Sequence, residues 1–344
     1  MTARRSARRR TLMWILLILL TAGALLLALG YRMMIAVKPS VTRPTLSADT
    51  RREIDALEGR LMAHVEMLGR TIGERHLGRP QALRAATEYI RQVWGDQGLA
   101  VTEERFEVGG QPCLNLVTQI PGGQQSDEHL VVGAHYDSVY GSPGANDNGT
   151  GVAALLEMSR QLRDHPLART VRLVAFVNEE PPYFLTNEMG SRVHARRAHQ
   201  RGERILGMLS LETIGYYSGA RGTQHYPAPF GRLYPDIGNF LAVVGNLASR
   251  RLVVDFMTQF MSATDFPIEG VATFEGVPGI NWSDHSSFWT EGYPALMLTD
   301  TAPFRYAEYH TAQDVPERVT RREFARAAHG IIHAVRRLAG SPGT

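Results

Sequence analysis

Leu130-Val131-Val132-Gly133-Ala134-His135-Tyr136-Asp137 is a short apolar run that ends on a histidine and an acid, and Gly144-Ala145-Asn146-Asp147-Asn148-Gly149 follows a few residues later. An apolar run without alternation, closed by turn residues, reads as a strand buried on both faces. The same form recurs at 114–120, 171–177, 208–211, 241–244 and 295–298. Between these runs lie helical patterns at 152–162, 188–200 and 255–261. Two amphipathic helices come first, one on Ile54, Leu57, Leu61, Val65 and Leu68 and one over 85–99. A last one carries Phe324, Ala328, Ile331, Val335 and Leu338. Strands alternating with helices predict a three-layer α/β/α sandwich around a mostly parallel, mixed sheet.

The N-terminus has a different character. Arg4, Arg5, Arg8, Arg9 and Arg10 precede an uncharged, Leu-rich run over 12–31. About 20 apolar residues span a bilayer core, whereas the apolar part of a cleaved signal peptide is ~7–15 residues long. The pattern predicts a basic cytoplasmic tail (1–11), a transmembrane anchor (12–36), a linker (37–49) and a folded domain (50–340). Positive flanks stay in the cytoplasm, so the domain is expected on the periplasmic or extracellular side.

The chain has 37 Lys+Arg against 34 Asp+Glu, and without the five N-terminal arginines the balance turns to −2. Net charge therefore gives nucleic-acid binding no support. Cys113 is the single cysteine, so neither an intrachain disulfide nor a cysteine zinc site is available. It is expected to be buried.

The chemistry-bearing residues fall at the ends of the predicted strands. His135 follows one, Glu179 and Glu180 a second, and Glu212 a third. Asp147 lies on the loop before the helix that opens at Val152, and His310 in the loop after the last strand. In open α/β sheets, sites form beyond the carboxyl ends of strands, so all of these residues can meet on one crest. Imidazole and carboxylate without thiol suit zinc, and shared carboxylates suit paired ions. Asp137, two residues after His135, is positioned to accept the second imidazole N–H. Neighbouring side chains on an extended segment point apart, so Glu180 can ligate while Glu179 stays free to take a proton.

These stretches resemble the co-catalytic zinc aminopeptidases, a metallopeptidase family that also contains glutaminyl cyclases and glutamate carboxypeptidases. The resemblance runs from about Leu114 to Val319. Its carriers are Gly133-Ala134-His135-Tyr136-Asp137-Ser138, the Gly144–Gly151 stretch, Asn178-Glu179-Glu180, Leu211-Glu212-Thr213-Ile214-Gly215, Ser283-Asp284-His285-Ser286-Ser287-Phe288 and Tyr309-His310-Thr311. It implies two zinc ions per chain. Asp147 would bridge them, His135 and Glu212 would complete one site, Glu180 and His310 the other, and Glu179 would be the general base. Asp284, His285 and Tyr309 would take supporting or substrate-facing roles.

Two departures stand out. Position 212 is Asp in better-known members, and the extra methylene of Glu moves the carboxylate outward. The segment Phe304-Arg305-Tyr306-Ala307-Glu308 replaces a common Asn-Pro and is expected to alter the pocket rim. The implied activity is exopeptidase action on peptides, of aminopeptidase type. A single-zinc glutaminyl cyclase and an inactive, receptor-like ectodomain are the alternatives. Trp282, Phe288, Trp289 and Tyr293 are expected to pack a helix on the sheet, and His194, His199, His329 and His333 to lie on helix surfaces.

Overall fold

The computed structural model describes residues 2–228 and 230–340. Helix α1 (Thr2–Ile35) leads directly into β1 (Ala36–Val37), and its stretch Arg8–Tyr31 is long and apolar enough to cross a membrane. After an extended segment come α2 (Ala48–Glu66), a π turn, α3 (Pro80–Asp96), β2 (Thr102–Val108), β3 (Gln111–Ile120) and β4 (Gln125–His135). The chain continues through α4 (Gly149–Leu162), β5 (Arg169–Phe176), α5 (Gly190–Gln200), β6 (Arg204–Glu212) and β7 (Leu241–Asn246). It closes with α6 (Arg250–Ala263), β8 (Ile268–Thr273), α7 (His285–Thr290), β9 (Ala295–Thr299) and α8 (Arg321–Ala339).

Among the described residues nine strands form one sheet, in the order β1-β8-β7-β9-β6-β4-β5-β3-β2. The centre, β5-β4-β6-β9, is parallel, as its buried apolar strands predict. The flanks are not. β2, β3 and β5 pair antiparallel, β7 opposes β9, and β1 opposes β8, so the sheet is evenly mixed rather than mostly parallel. Periodicity missed β2 because this strand at the sheet edge is half solvated and charge-rich (TEERFEV). It missed β8 because glycine and glutamate interrupt its apolar run.

Helix α4 is buried almost all round, between the sheet and the outer pair α2 and α8. Its sequence, GTGVAALLEMSRQL, has apolar residues on every face, which suits a helix with no solvent side. The one buried charge, Glu157, is met by Arg60, Arg160 and His64. On the opposite face, α5 and α7 cover a second cluster that includes Phe176, Met208 and Phe288. Cys113 is buried, as expected. His194 and His329 correct the surface assignment: both are buried, and His194 Nδ1 lies 3.1 Å from Glu104. Charged neighbours on the helix suggested exposure, but cross-element partners decide it.

The direction of β1 fixes where α1 sits. Because β1 runs antiparallel to β8, and β8 runs opposite to the central strands, α1 joins the sheet at the end where the central strands begin. The carboxyl ends of β4, β5, β6 and β9 form the other end.

Candidate metal centre

His135 closes β4, Glu212 closes β6, and Glu179 and Glu180 follow β5 after Asn178. Asp147 reaches the same crest from the loop before α4, and His310 from the loop after β9. Asn178, Thr213 and His310 have φ of 60°, 42° and 59°, a region that costs non-glycine residues roughly 1–3 kcal/mol. All three mark sharp turns at ligand positions, and the surrounding contacts hold them there.

The geometry is that of two adjoining nests. His135 Nε2 lies 3.3 Å from Asp147 Oδ1 and 3.3 Å from Glu212 Oε2. His310 Nε2 lies 3.1 Å from Asp147 Oδ2 and 3.2 Å from Glu180 Oε2. Asp147 thus turns one oxygen to each histidine, and each triple could hold an ion. Both Asp147 oxygens and both Nε2 atoms are buried without a hydrogen-bond partner, a costly state for polar atoms. Ligand atoms slightly more than 3 Å apart match neighbouring corners of a tetrahedron with arms of ~2.0–2.2 Å, which fits zinc.

Electrostatics agree. Burial, helped by Glu212, Glu180 and Asp284 against the pull of His135, pushes the Glu179 carboxyl well up. Burial and Asp147 raise Glu180 to about 8. Burial opposes the charged form of His310, yet Asp147 and Glu180 outweigh it and lift the imidazole to about 10. Without cations this crest collects protons to offset its crowded carboxylates. Divalent ions would take the place of those protons.

The loop around Asp147 is held from below by groups that the sequence did not single out. Asp314 accepts the amides of Asn146 (2.8 Å) and Asp147 (3.0 Å) and the hydroxyl of Tyr306 (2.9 Å). Asp300 accepts Asn146 Nδ2 at 2.9 Å. Arg75 is fully buried and donates to the carbonyls of Leu68, Gly73, Tyr136, Pro143 and Gly144. Two glycines permit the close approach. Gly144 has φ +64° and would bring a Cβ within 2.5 Å of the Asp147 carbonyl, while on Gly151 it would meet the Leu211 carbonyl at 2.6 Å.

Asp137 behaves differently from its expected role. His135 Nδ1 is nearer the Asp137 backbone carbonyl (3.2 Å) than its carboxylate (3.6 Å). The carboxylate instead accepts the amides of Glu179 and Glu180, both at 3.2 Å, and so sets the turn that separates the two glutamates. The length of Glu212 is absorbed: its Oε2 accepts the Ser283 hydroxyl at 2.9 Å and still stands as close to His135 as Asp147 does. Ser283 is therefore the residue of its segment that touches Glu212. Asp284 is buried nearby without a hydrogen-bond partner, its carboxyl raised to about 7 by burial. His285 turns away to the Ile280 carbonyl (2.7 Å) and packs edge-on against Trp289.

Beside the crest lies an apolar pocket of about 820 Å³, part of it open to solvent. Glu212 and Tyr309 stand among its lining, with Phe240, Val244, Met297 and Phe304. Phe304 belongs to the unusual 304–308 segment and stacks with Trp282, which also lines the pocket; Phe288 and Trp289 are core residues as expected. Arg305 is buried beside the pocket and donates to Gln224 and to the Phe240 carbonyl. Tyr309 stacks on His310 with ring centroids 3.8 Å apart.

The sequence matches peptidase family M28 over residues 115–335. The chain belongs to peptidase family M28. This M28 chain is 37% identical over 277 residues to the uncharacterized protein YfbL of Escherichia coli K12, covering 78% of the chain and 84% of that protein. It is 28% identical over 215 residues to leucine aminopeptidase 1 of Trichophyton equinum, covering 58% of the chain and only 50% of the fungal protein. In fold it is similar to BSAP, a zinc aminopeptidase from Bacillus subtilis (TM-score 0.64, 15% identity, 82% of this chain and 95% of that one). It is likewise similar to the glutaminyl cyclase of Fimbriiglobus ruber (TM-score 0.61, 19% identity, 87% and 97%). This M28 chain is thus a metal-dependent peptidase with a binuclear metal-binding site.

Proposed function

We propose that the chain is a membrane-anchored, two-zinc aminopeptidase that removes large apolar residues from peptide N-termini. The observation that carries this reading is Asp147, whose two unpartnered oxygens each face a separate histidine–glutamate pair. His135, Asp147 and Glu212 would hold one zinc, and Asp147, Glu180 and His310 the other. Zinc bound there polarises a carbonyl and lowers the pKa of water from 15.7 towards ~7.

The chain's own residues do the rest. Glu179, its Oε2 3.8 Å from His135 Nε2, takes the proton of the attacking water and passes it to the leaving amine. Glu180 is kept from this task because Oε1 accepts the Val139 amide and Oε2 faces His310. Tyr309 keeps its phenolic proton, since burial and the surrounding carboxylates raise its pKa well above the ordinary value. It can donate that hydrogen to the carbonyl oxygen as negative charge develops. The pocket receives the first side chain, and its apolar lining favours Leu- or Phe-like groups.

A glutaminyl cyclase shares the fold, but the complete His135–Asp147–Glu212 triple supports the two-metal peptidase. Metal analysis of the purified full chain, with a peptide-library digest read by mass spectrometry, tests both. Two zinc ions and stepwise loss of apolar N-terminal residues are expected. One zinc with cyclisation of N-terminal glutamine would overturn the reading, and metal-loaded protein that releases nothing would leave an inert ectodomain. Anchoring rests on α1, whose Arg8–Tyr31 stretch has no buried portion. The cytoplasmic side for the arginine tail, and the outer side for the 50–340 domain, follow from the positive flank.

A further inference from the structure

A second cleft, sharing no lining residue with the crest, lies between the start of α2, the end of α6 and the C-terminal half of α8. His329, His333, Arg336 and Arg337 form its basic wall, the hydroxyls of Thr50 and Ser262 on its lining are paired with Ser47 and the Gln259 carbonyl, and Glu53 is the one acid among the described lining residues. Among the described residues Arg336 reaches nitrogen partners, His333 Nδ1 at 3.3 Å and His165 Nε2 at 3.4 Å. Among the described residues no carboxylate pairs with Arg336 or Arg337, although Arg322 and Arg326 of the same helix both have one. The two imidazoles face each other at 4.4 Å.

Cations in a last helical turn complement the dipole, which gives the arginines one structural reason to be there. The dipole does not explain two further nitrogen rings gathered in a cleft with so little negative charge. We propose that this cleft is a binding site for a dianionic phosphomonoester or inorganic phosphate, the former as the terminal group of a lipid. Paired guanidinium groups are the donors that suit phosphate oxygens. Position alone does not separate the two sources: the C-terminus of α8 bonds to Ala168 at the start of β5, whereas the end of α6 leads into the start of β8 at the opposite end of the sheet.

Support comes from the histidines. Burial and Arg336 hold His329 near 4, and burial, His329, Arg336, Arg337 and His165 do the same for His333. A bound dianion reverses that balance, whereas Glu53 at the rim does not.

The test uses full-length protein in phosphatidylcholine nanodiscs, with the imidazole signals of His329 and His333 titrated by NMR. One arm adds inorganic phosphate at constant ionic strength set with chloride. The other adds phosphatidic acid to the disc and no phosphate. The expected result is an upward midpoint shift of at least one pH unit, a tenfold coupling, in one arm. A shift in the first arm identifies free phosphate, and one confined to the second identifies the lipid headgroup. The shift should vanish in R336Q/R337Q, survive in R336K/R337K, and leave peptide hydrolysis unchanged. Midpoints that stay put in both arms, or shifts that persist in R336Q/R337Q, overturn the proposal. If that variant does not fold, the two wild-type arms decide alone.

Discussion

Replacing Asp314 by Ala removes the acceptor for two amides and one hydroxyl beneath Asp147, the proposed shared ligand. The side chain is fully buried, so water does not freely take its place. Hydrogen bonds to a charged acceptor contribute ~1.5–3 kcal/mol each, and a buried amide left unpaired costs ~1–3 kcal/mol. These terms overlap, so a loss of about 3–5 kcal/mol is expected, a large share of the ~5–15 kcal/mol that holds a domain together. The assay is denaturant unfolding at neutral pH and again at about pH 9: burial and Asp147 raise this carboxyl to about 7, so ionising it in the fold opposes stability, and the loss on D314A should be smaller at the higher pH. Because the Asp147 amide is no longer tied down, zinc affinity measured against a chromophoric chelator should fall ~10–100-fold. D314N keeps one oxygen and should fall between. If D314A loses under about 1 kcal/mol and binds zinc as the parent does, the idea that Asp314 positions the bridging ligand is wrong.

E179Q should retain both zinc ions while kcat drops ~10²–10⁴-fold; loss of metal, or little change in turnover, would contradict a proton-transfer role. E212D withdraws the carboxylate from Ser283 and His135, so one of the two zinc ions should weaken at least tenfold in a chelator titration while the other stays. V244F fills the pocket, and kcat/KM for N-terminal leucine relative to alanine should fall about tenfold or more, given ~1–3 kcal/mol per excluded methylene. Glu104 offers a pH test: burial raises its carboxyl, but His194, Asn115 and Arg197 more than offset this and bring it to about 2 from 4.5. A depressed carboxylate stabilises fully above its unfolded value and loses that contribution as pH falls from about 4.5 toward 2. E104Q should therefore cost up to about 3 kcal/mol at neutral pH and almost nothing near pH 2, read from denaturation midpoints.

Three of the candidate metal ligands were legible because they close or follow an apolar strand, where side chains must leave the sheet, whereas Asp147 and His310 lie in longer loops. His135, Glu180 and Glu212 carry that signal directly. Asp314, Asp300 and Arg75 do not: they sit in irregular loops, and their importance comes from backbone groups distant in sequence. The apolar pocket was also hidden, since Phe240, Met297 and Phe304 meet only through tertiary packing. His194 and His329 were misread for the same reason, as exposure on a helix depends on what covers it. Asp137 shows a finer limit. Its spacing from His135 was correct, but the turn after β5 needed its carboxylate more than the imidazole did.

The antiparallel pairing of β1 with β8 sets a reach requirement for substrates. For a chain held by α1, the bilayer and the crest lie at opposite ends of the sheet. Strand β4 has 11 residues, and at ~3.3 Å each the two ends stand roughly 36 Å apart. A peptide fixed to the same membrane must project on the order of ten extended residues before its free end can meet Glu179. Peptides released into the surrounding fluid face no such threshold. Length of tether, more than residue sequence, would then separate the membrane-bound peptides that this peptidase trims from those it leaves intact.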